Sequence, residues 1–176
     1  GPVTVCAAVI DLFSFCDGVT DSKKLTEKQR EFLFPEIENC CLAYSVVSAP
    51  PARIDEINIL NATKECMTKA VESLSINPDI VLIDAVKLEL SVESKSIIHG
   101  DLLSYAIGCA SILAKVSRDR YMAKCDEVYP EYGFKKNKGY GTREHIEAII
   151  KYGMTPLHRK QFVQTAVEHY EQKIGR

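Results

Sequence analysis

The chain has 176 residues, 46% hydrophobic and 26% charged, with a formal net charge of −2 at pH 7. These values exclude an unstructured polar tail, and the longest apolar runs fall far short of the roughly 20 residues of a membrane-spanning helix. A chain of this length forms a single domain over residues 1–176 that buries about two thirds of its unfolded surface.

Val3 to Leu12 is dense in Val, Ala and Ile without polar alternation, which predicts a strand buried on both faces. A loop containing "DGVTDSKKL" follows. Thr26 is placed to cap the helix "EKQREFLFPEIEN", whose apolar stripe is Leu33, Phe34 and Ile37. "LAYSVVS" reads as a second strand. "APPARIDEINILNATKECMTKAVESLS" reads as a turn, a short helical turn and a long helix ended by Asn77 and Pro78. Two strands are then predicted, "DIVLID" and "SKSIIHGD", each closing on a carboxylate. Leu102 to Val128 has helical spacing, with Ala106, Gly108, Ala110 and Ala114 permitting close approach to a sheet. "YPEYGFKKNKGYGT" is a loop, and residues 142–176 form a helical C-terminal segment whose first helix stops at Gly153. Strands interleaved with helices predict an α/β fold with a mixed sheet.

Charge and cysteines narrow the function. Between Lys115 and Lys160 stand eleven Lys and Arg against six acids, a basic half that suits a polyanionic partner. The seven cysteines, Cys6, Cys16, Cys40, Cys41, Cys66, Cys109 and Cys125, contain no CxxC spacing. They read as reduced thiols of a cytoplasmic protein rather than as a zinc site or disulfide framework.

Asp84 and Asp101 each fall at a predicted strand end, the edge where α/β proteins place ligands. Two carboxylates side by side repel unless they share a cation, and hard oxygen ligands suit Mg²⁺ or Mn²⁺. Taken singly, Asp84 reads as a turn residue and Asp101 as a helix N-cap; it is their paired placement that raises the metal-site reading to equal standing. "DSKKL" offers a hydroxyl and two ammonium groups for phosphates, or a capped surface loop. "KKNKGYGT" interleaves lysines with Tyr140 and two glycines, so that Tyr140 can stack on a sugar or base, or merely belong to a surface loop. His99, His145, His158 and His169 share no metal-ligand spacing. His158, in "PLHRKQF", suits a phosphate contact or a basic turn.

"DSKKLTEKQREFLFPEI", "INILNAT", "IVLIDAVKL", "IIHGD", "ASILAKVSRDRYM", "YPEYGFKKNKGYGTREHIEAIIKYG" and "TPLHRKQF" together resemble, in order and spacing, bacterial ribonuclease HII, the type 2 ribonuclease H. The resemblance implies a ribonuclease H-like fold: a five-stranded mixed β-sheet flanked by helices, with a helical C-terminal extension. It implies a monomeric endonuclease that cleaves RNA in RNA/DNA hybrids and incises duplex DNA containing ribonucleotides, using Mg²⁺ or Mn²⁺. Of the family's four metal-binding acids, the third looks like Asp84 and the fourth like Asp101. The family's substrate contacts look like Ser22 and Lys23 for phosphates and Tyr140 for the 2′-hydroxyl. The first two acids belong to a "DEAGRG" motif on a strand ahead of "GPV", a motif that residues 1–176 do not contain. One further strand is therefore expected in front of Val3, and a binding module without catalysis is the alternative expectation for these residues alone. Three positions depart from the family pattern: His99, Leu103 and Asn137.

Overall fold

The computed structural model describes residues 1–11 and 13–175, the side chain of Ile174 excepted. Strand β1 runs over Val3–Ile10; Leu12, expected to end it, lies outside the described residues. Helix α1, Glu27–Cys40, begins with the capping box its sequence encodes. The Gln29 N–H donates to Thr26 Oγ1 at 3.2 Å, and the Thr26 N–H donates to Gln29 Oε1 at 2.9 Å. Its inward face carries Leu33, Phe34 and Ile37, as the stripe predicts, together with Arg30. Strand β2, Cys41–Ala49, pairs with β1.

Helix α2, Pro51–Glu72, is interrupted at Asn58 with φ 66° and ψ 165°, a backbone conformation that residues with a side chain rarely adopt. There Asn58 Oδ1 accepts the N–H of Asn61 at 3.0 Å and restarts the helix. The expected short turn followed by a longer helix thus corresponds to two helical pieces joined at one residue. Strand β3, Val81–Asp84, pairs in parallel with β4, Ser94–Ile97, placing Asp84 opposite Ile97. Then come α3 (Gly100–Leu103), α4 (Tyr105–Val128), a 3₁₀ turn at Pro130–Tyr132, α5 (Phe134–Asn137), α6 (Arg143–Tyr152) and α7 (Lys160–Ile174). The single helix expected from Leu102 is divided, because Ser104 is extended.

The chain forms two compact units, one of Thr4–Ser48 and Thr63–Ser117, the other of Gly1–Val3, Ala49–Ala62 and Arg118–Arg176. In the first, the core joins Cys16, Leu33, Phe34 and Ile37 to Cys109, Ile112, Leu113 and Val116 of α4. Gly108 lets α4 approach the loop before α1, since a Cβ there would stand 3.1 Å from Val19 Cγ1 and 3.4 Å from the Asp101 carbonyl. Desolvation pushes the Cys6 and Cys109 thiols up to about 12 and Cys41 to about 11, and all seven cysteines are unbridged. Such groups are poor nucleophiles at neutral pH.

Four strands in two pairs are present among the described residues, against the five of the resemblance. Strands β1 and β3 flank a groove of about 690 Å³, backed by Met67 and Val71 of α2 and by Ala106, Ile107 and Ala110 of α4. Within β1 only Val5 is fully buried, so the expectation of burial on both faces is not met.

In the second unit, Met122, Tyr132, Phe134, Ala148 and Ile149 form a separate core. The Tyr132 and Phe134 rings stack with centroids 5.5 Å apart. Among the described residues no helix is long and apolar enough to cross a membrane.

Candidate functional site

Asp84 ends β3, and its position is set by backbone geometry on both sides. Ala85 follows at φ 54°, donating its N–H to the Ile97 carbonyl at 2.9 Å. This bond continues the β3–β4 ladder for one step while the chain turns away. Across the turn, Asp84 Oδ1 accepts the N–H of Gly100 at 2.9 Å.

Asp101 is not at a strand end as expected, nor is it an N-cap. Strand β4 stops at Ile97, and His99 at φ 57° takes the cap position. The left-handed turn at His99 breaks the extended run that the sequence "SKSIIHGD" suggested, and the His99 carbonyl accepts from Leu102 and Leu103 at 3.1 Å. Asp101 therefore enters from the first turn of α3 and is buried. The two acids are joined through Gly100, which has no room for a side chain. A Cβ there would lie 2.6 Å from Ile107 Cδ1, 3.2 Å from Asp84 Oδ1 and 3.3 Å from Asp84 Cα. Gly100→Ala should cost about 1–3 kcal/mol of stability by overpacking and displace Asp84. Thermal melting checks this, and an unchanged melting temperature contradicts it.

The third charged group is Lys23. Its Nζ donates to Asp101 Oδ2 at 3.2 Å, while the ammonium remains largely exposed. That hydrogen bond, joined by the fields of Asp101, Asp21 and Asp84, raises the Lys23 pKa above the ordinary lysine value. With its Lys23 end open to solvent the pair is screened and contributes little to stability, and the loop is held by other bonds. Asp21 Oδ1 accepts the Lys23 N–H at 2.9 Å, which keeps the Asp21 carboxyl below its usual range. Buried Arg30 donates from Nη1 to the carbonyls of Ser22, at 2.9 Å, and Leu25. The Ser22 hydroxyl lies buried 2.8 Å from that of Ser111 on α4. Of the two predicted substrate contacts in this loop, Lys23 faces outward and Ser22 faces inward.

Asp84 and Asp101 are hard oxygen donors, and an ammonium already sits where their charge draws a cation. That chemistry fits one side of a Mg²⁺ or Mn²⁺ site. Among the described residues no group of three or more His, Cys, Asp or Glu forms a metal cluster, so the acids do not enclose an ion by themselves.

Tyr140 belongs to the other unit and is 57% exposed. Lys138 at φ 53° and Gly139 at φ 79° turn the loop that presents it. The Arg118 guanidinium lies 5.4 Å from its ring centroid. Arg118 is fixed by bonds from Nε to the Pro2 carbonyl at 3.1 Å and from Nη1 to the Lys138 carbonyl at 3.0 Å. Asn137, one of the departures from the family pattern, is buried. It donates from Nδ2 to the Tyr132 carbonyl at 2.6 Å and accepts the Gly139 N–H on Oδ1 at 2.8 Å.

His158 makes no surface basic turn. It is 6% exposed, with Nε2 lying 3.1 Å from His145 Nε2. Sequence reasoning missed this pair, as well as Arg30 and Arg118, because thirteen residues of separation follow no helical or strand period. A buried arginine bound to carbonyls leaves no compositional mark either.

Asp84 at the end of β3, with Asp101 on the helix that follows β4 and the Lys23 ammonium beside it, occupies the carboxyl edge where α/β proteins bind ligands. More narrowly, the chain belongs to the ribonuclease HII family, whose sequence pattern it matches over residues 1–165. It is 52% identical over 163 residues to the ribonuclease HII of Desulfitobacterium hafniense, covering 92% of this chain and 63% of that one. It is 53% identical over 165 residues to that of Caldicellulosiruptor bescii, covering 93% and 80%. The fold is similar to the crystal structure of ribonuclease H2 from Pyrococcus horikoshii, with a TM-score of 0.79 and 28% identity over 97% of this chain and 92% of that one. It is also similar to the ribonuclease HII of Archaeoglobus fulgidus in its complex with PCNA, at 0.75 and 25% identity over 94% and 89%. The chain spans 63% of the length of the Desulfitobacterium relative.

Proposed function

We propose that this chain carries the ribonuclease chemistry of its family: metal-dependent endonucleolytic cleavage of RNA in RNA/DNA hybrids and at ribonucleotides embedded in duplex DNA. The observation that carries the reading is the carboxylate pair Asp84 and Asp101, joined through Gly100 and faced by Lys23. Asp84 and Asp101 would hold divalent ions, Mg²⁺ or Mn²⁺. When bound, such ions supply charge stabilisation at the scissile phosphate and an activated water. Lys23, exposed and kept protonated, binds and orients a backbone phosphate, while Ser22 holds the loop from beneath through Ser111. Tyr140 stacks on the sugar beside the ribonucleotide.

The groove between β1 and β3 supports a further part of this reading. Both strands have unpaired edges there, the walls are apolar, and Asp84 lies at the groove's rim. An extended segment inserted between them would pair with both edges and bring further carboxylates beside Asp84.

A second reading is binding without cleavage by residues 1–176 alone, in keeping with the finding that among the described residues no three or more His, Cys, Asp or Glu group as metal ligands. Equilibrium binding of this chain to an RNA/DNA hybrid and to plain duplex DNA, with Mg²⁺ and with EDTA, separates the two. Tighter hybrid binding that weakens with salt and survives EDTA supports the binding module. Hybrid preference that vanishes in EDTA makes the ions integral to recognition, and equal affinity for both duplexes overturns the proposed substrate.

A further inference from the structure

Resting on the reading of Tyr140 as a substrate contact, we infer that His145 and His158 are positioning residues: a neutral pair, in opposite tautomers, that fixes the Tyr140 backbone. The bonding partners determine the proton positions. The Thr155 N–H lies 2.9 Å from His158 Nδ1 and can only donate, so Nδ1 is an acceptor. Thr155 Oγ1, also 2.9 Å from Nδ1, receives the Leu157 N–H at 3.2 Å and directs its own hydrogen to the ring. His158 must then carry its proton on Nε2. At the other end, His145 Nδ1 lies 2.8 Å from the Tyr140 carbonyl, which can only accept, so Nδ1 carries the proton and Nε2 a lone pair. The single bond between the rings, Nε2 to Nε2 at 3.1 Å, is satisfied in one direction only: His158 donates to His145. Four groups thus form a directed chain from Thr155 through both imidazoles to the Tyr140 carbonyl.

Packing fixes the rings themselves. Tyr132 and Phe134 enclose both, with centroids 5.1 to 6.5 Å from the histidines. Burial disfavours the charged form of each ring, and the neighbouring His145 lowers His158 further. The charged groups around them agree. The Gly1 nitrogen donates to the Leu157 carbonyl, and Arg159 donates to the Gly1 and Pro2 carbonyls at 2.9 and 3.2 Å. On α6 the carboxylates of Glu144 and Glu147 are engaged by Lys136 and Arg143, so no carboxylate is shown paired with either imidazole.

The consequence lies at Tyr140. Arg118 holds the ring and the Lys138 carbonyl from one side, and His145 holds the Tyr140 carbonyl from the other. The phenol is therefore presented on a loop fixed at two successive points rather than on a pliable tip.

The test uses ¹⁵N-histidine and ¹³C-tyrosine NMR of the intact chain, together with binding to a DNA duplex carrying one ribonucleotide and to the all-DNA duplex. At neutral pH the imidazole shifts should report Nδ1–H for His145 and Nε2–H for His158; two like tautomers overturn the inference without any variant. His158→Phe keeps an aromatic ring but no nitrogen. It should move the Tyr140 ring resonances and lower the preference for the ribonucleotide duplex by roughly fivefold, leaving affinity for all-DNA duplex within about twofold. His158→Gln, which retains an N–H toward His145, should restore most of that preference. Unmoved Tyr140 resonances in His158→Phe overturn the positioning role. Should the parent chain show no ribonucleotide preference, the proposed substrate fails while the tautomers and the Tyr140 resonances still decide this inference.

Discussion

In residues 1–176 preceded by a strand bearing "DEAGRG", Asp101→Asn and Asp84→Asn should each lower metal-dependent cleavage by at least about 100-fold, since even an indirect supporter of a metal ligand is worth 10- to 100-fold. The same substitutions should leave stability unchanged or slightly raised. Asn at position 84 still presents an oxygen to the Gly100 N–H, and the charge that makes the pair repel in the absence of a cation is gone. Asn at position 101 still presents an oxygen to Lys23 Nζ, whose ammonium is largely exposed, so the loss there is small. Activity and melting temperature therefore move independently, as expected where function rather than folding sets a charge. Measuring both on the same preparations decides the matter. A large loss of melting temperature in either variant would make the carboxylates structural.

The second large effect is on acid stability. Burial lowers the His158 pKa from the ordinary 6.5 to about 4 and lowers that of His145 as well. The unfolded chain then takes up these protons before the native one does. The stability contributed by the neutral pair is complete above about pH 6.5 and is lost as pH falls toward 4. After allowance for partial solvent screening, the two rings should cost about 1–2 kcal/mol between pH 7.5 and 5, a fall in melting temperature of about 4 °C for a chain this size. His158→Gln should flatten that slope while starting from a lower melting temperature. A parent slope matched by His158→Gln would place the acid sensitivity elsewhere.

Much of this was legible in the chain. Thr26 with Gln29 three residues on marks the start of α1, and Leu33, Phe34 and Ile37 mark its buried face, because capping and helical periodicity are local properties. Asp84 is legible for a similar reason: "DIVLID" is a short apolar run closed by an acid. Asp101 is legible as a residue but not in its setting, the first turn of α3 rather than a strand end. The left-handed turn at His99 and the close approach at Gly100 depend on how two segments meet, which neither segment encodes alone. The same holds for His145, His158, Arg30 and Arg118, whose partners are backbone atoms far along the chain or rings in other elements. The open flank of β1 is also a tertiary property: its Val and Ala content describes a fully covered strand, whereas in residues 1–176 one edge faces a groove.

If Asp84 and Asp101 are part of a metal-dependent ribonuclease site completed from the groove between β1 and β3, a segment seated in that groove controls Mg²⁺- and Mn²⁺-dependent cleavage of a DNA duplex carrying one ribonucleotide. The comparison is between residues 1–176 alone and the same residues with a strand bearing "DEAGRG" placed ahead of Gly1. The expected result is weak or no cutting by the first, a gain of at least about 100-fold in the second, and loss of that gain in Asp101→Asn or with EDTA. Equal cutting by both forms, or none by the extended form with metal present, would contradict the account.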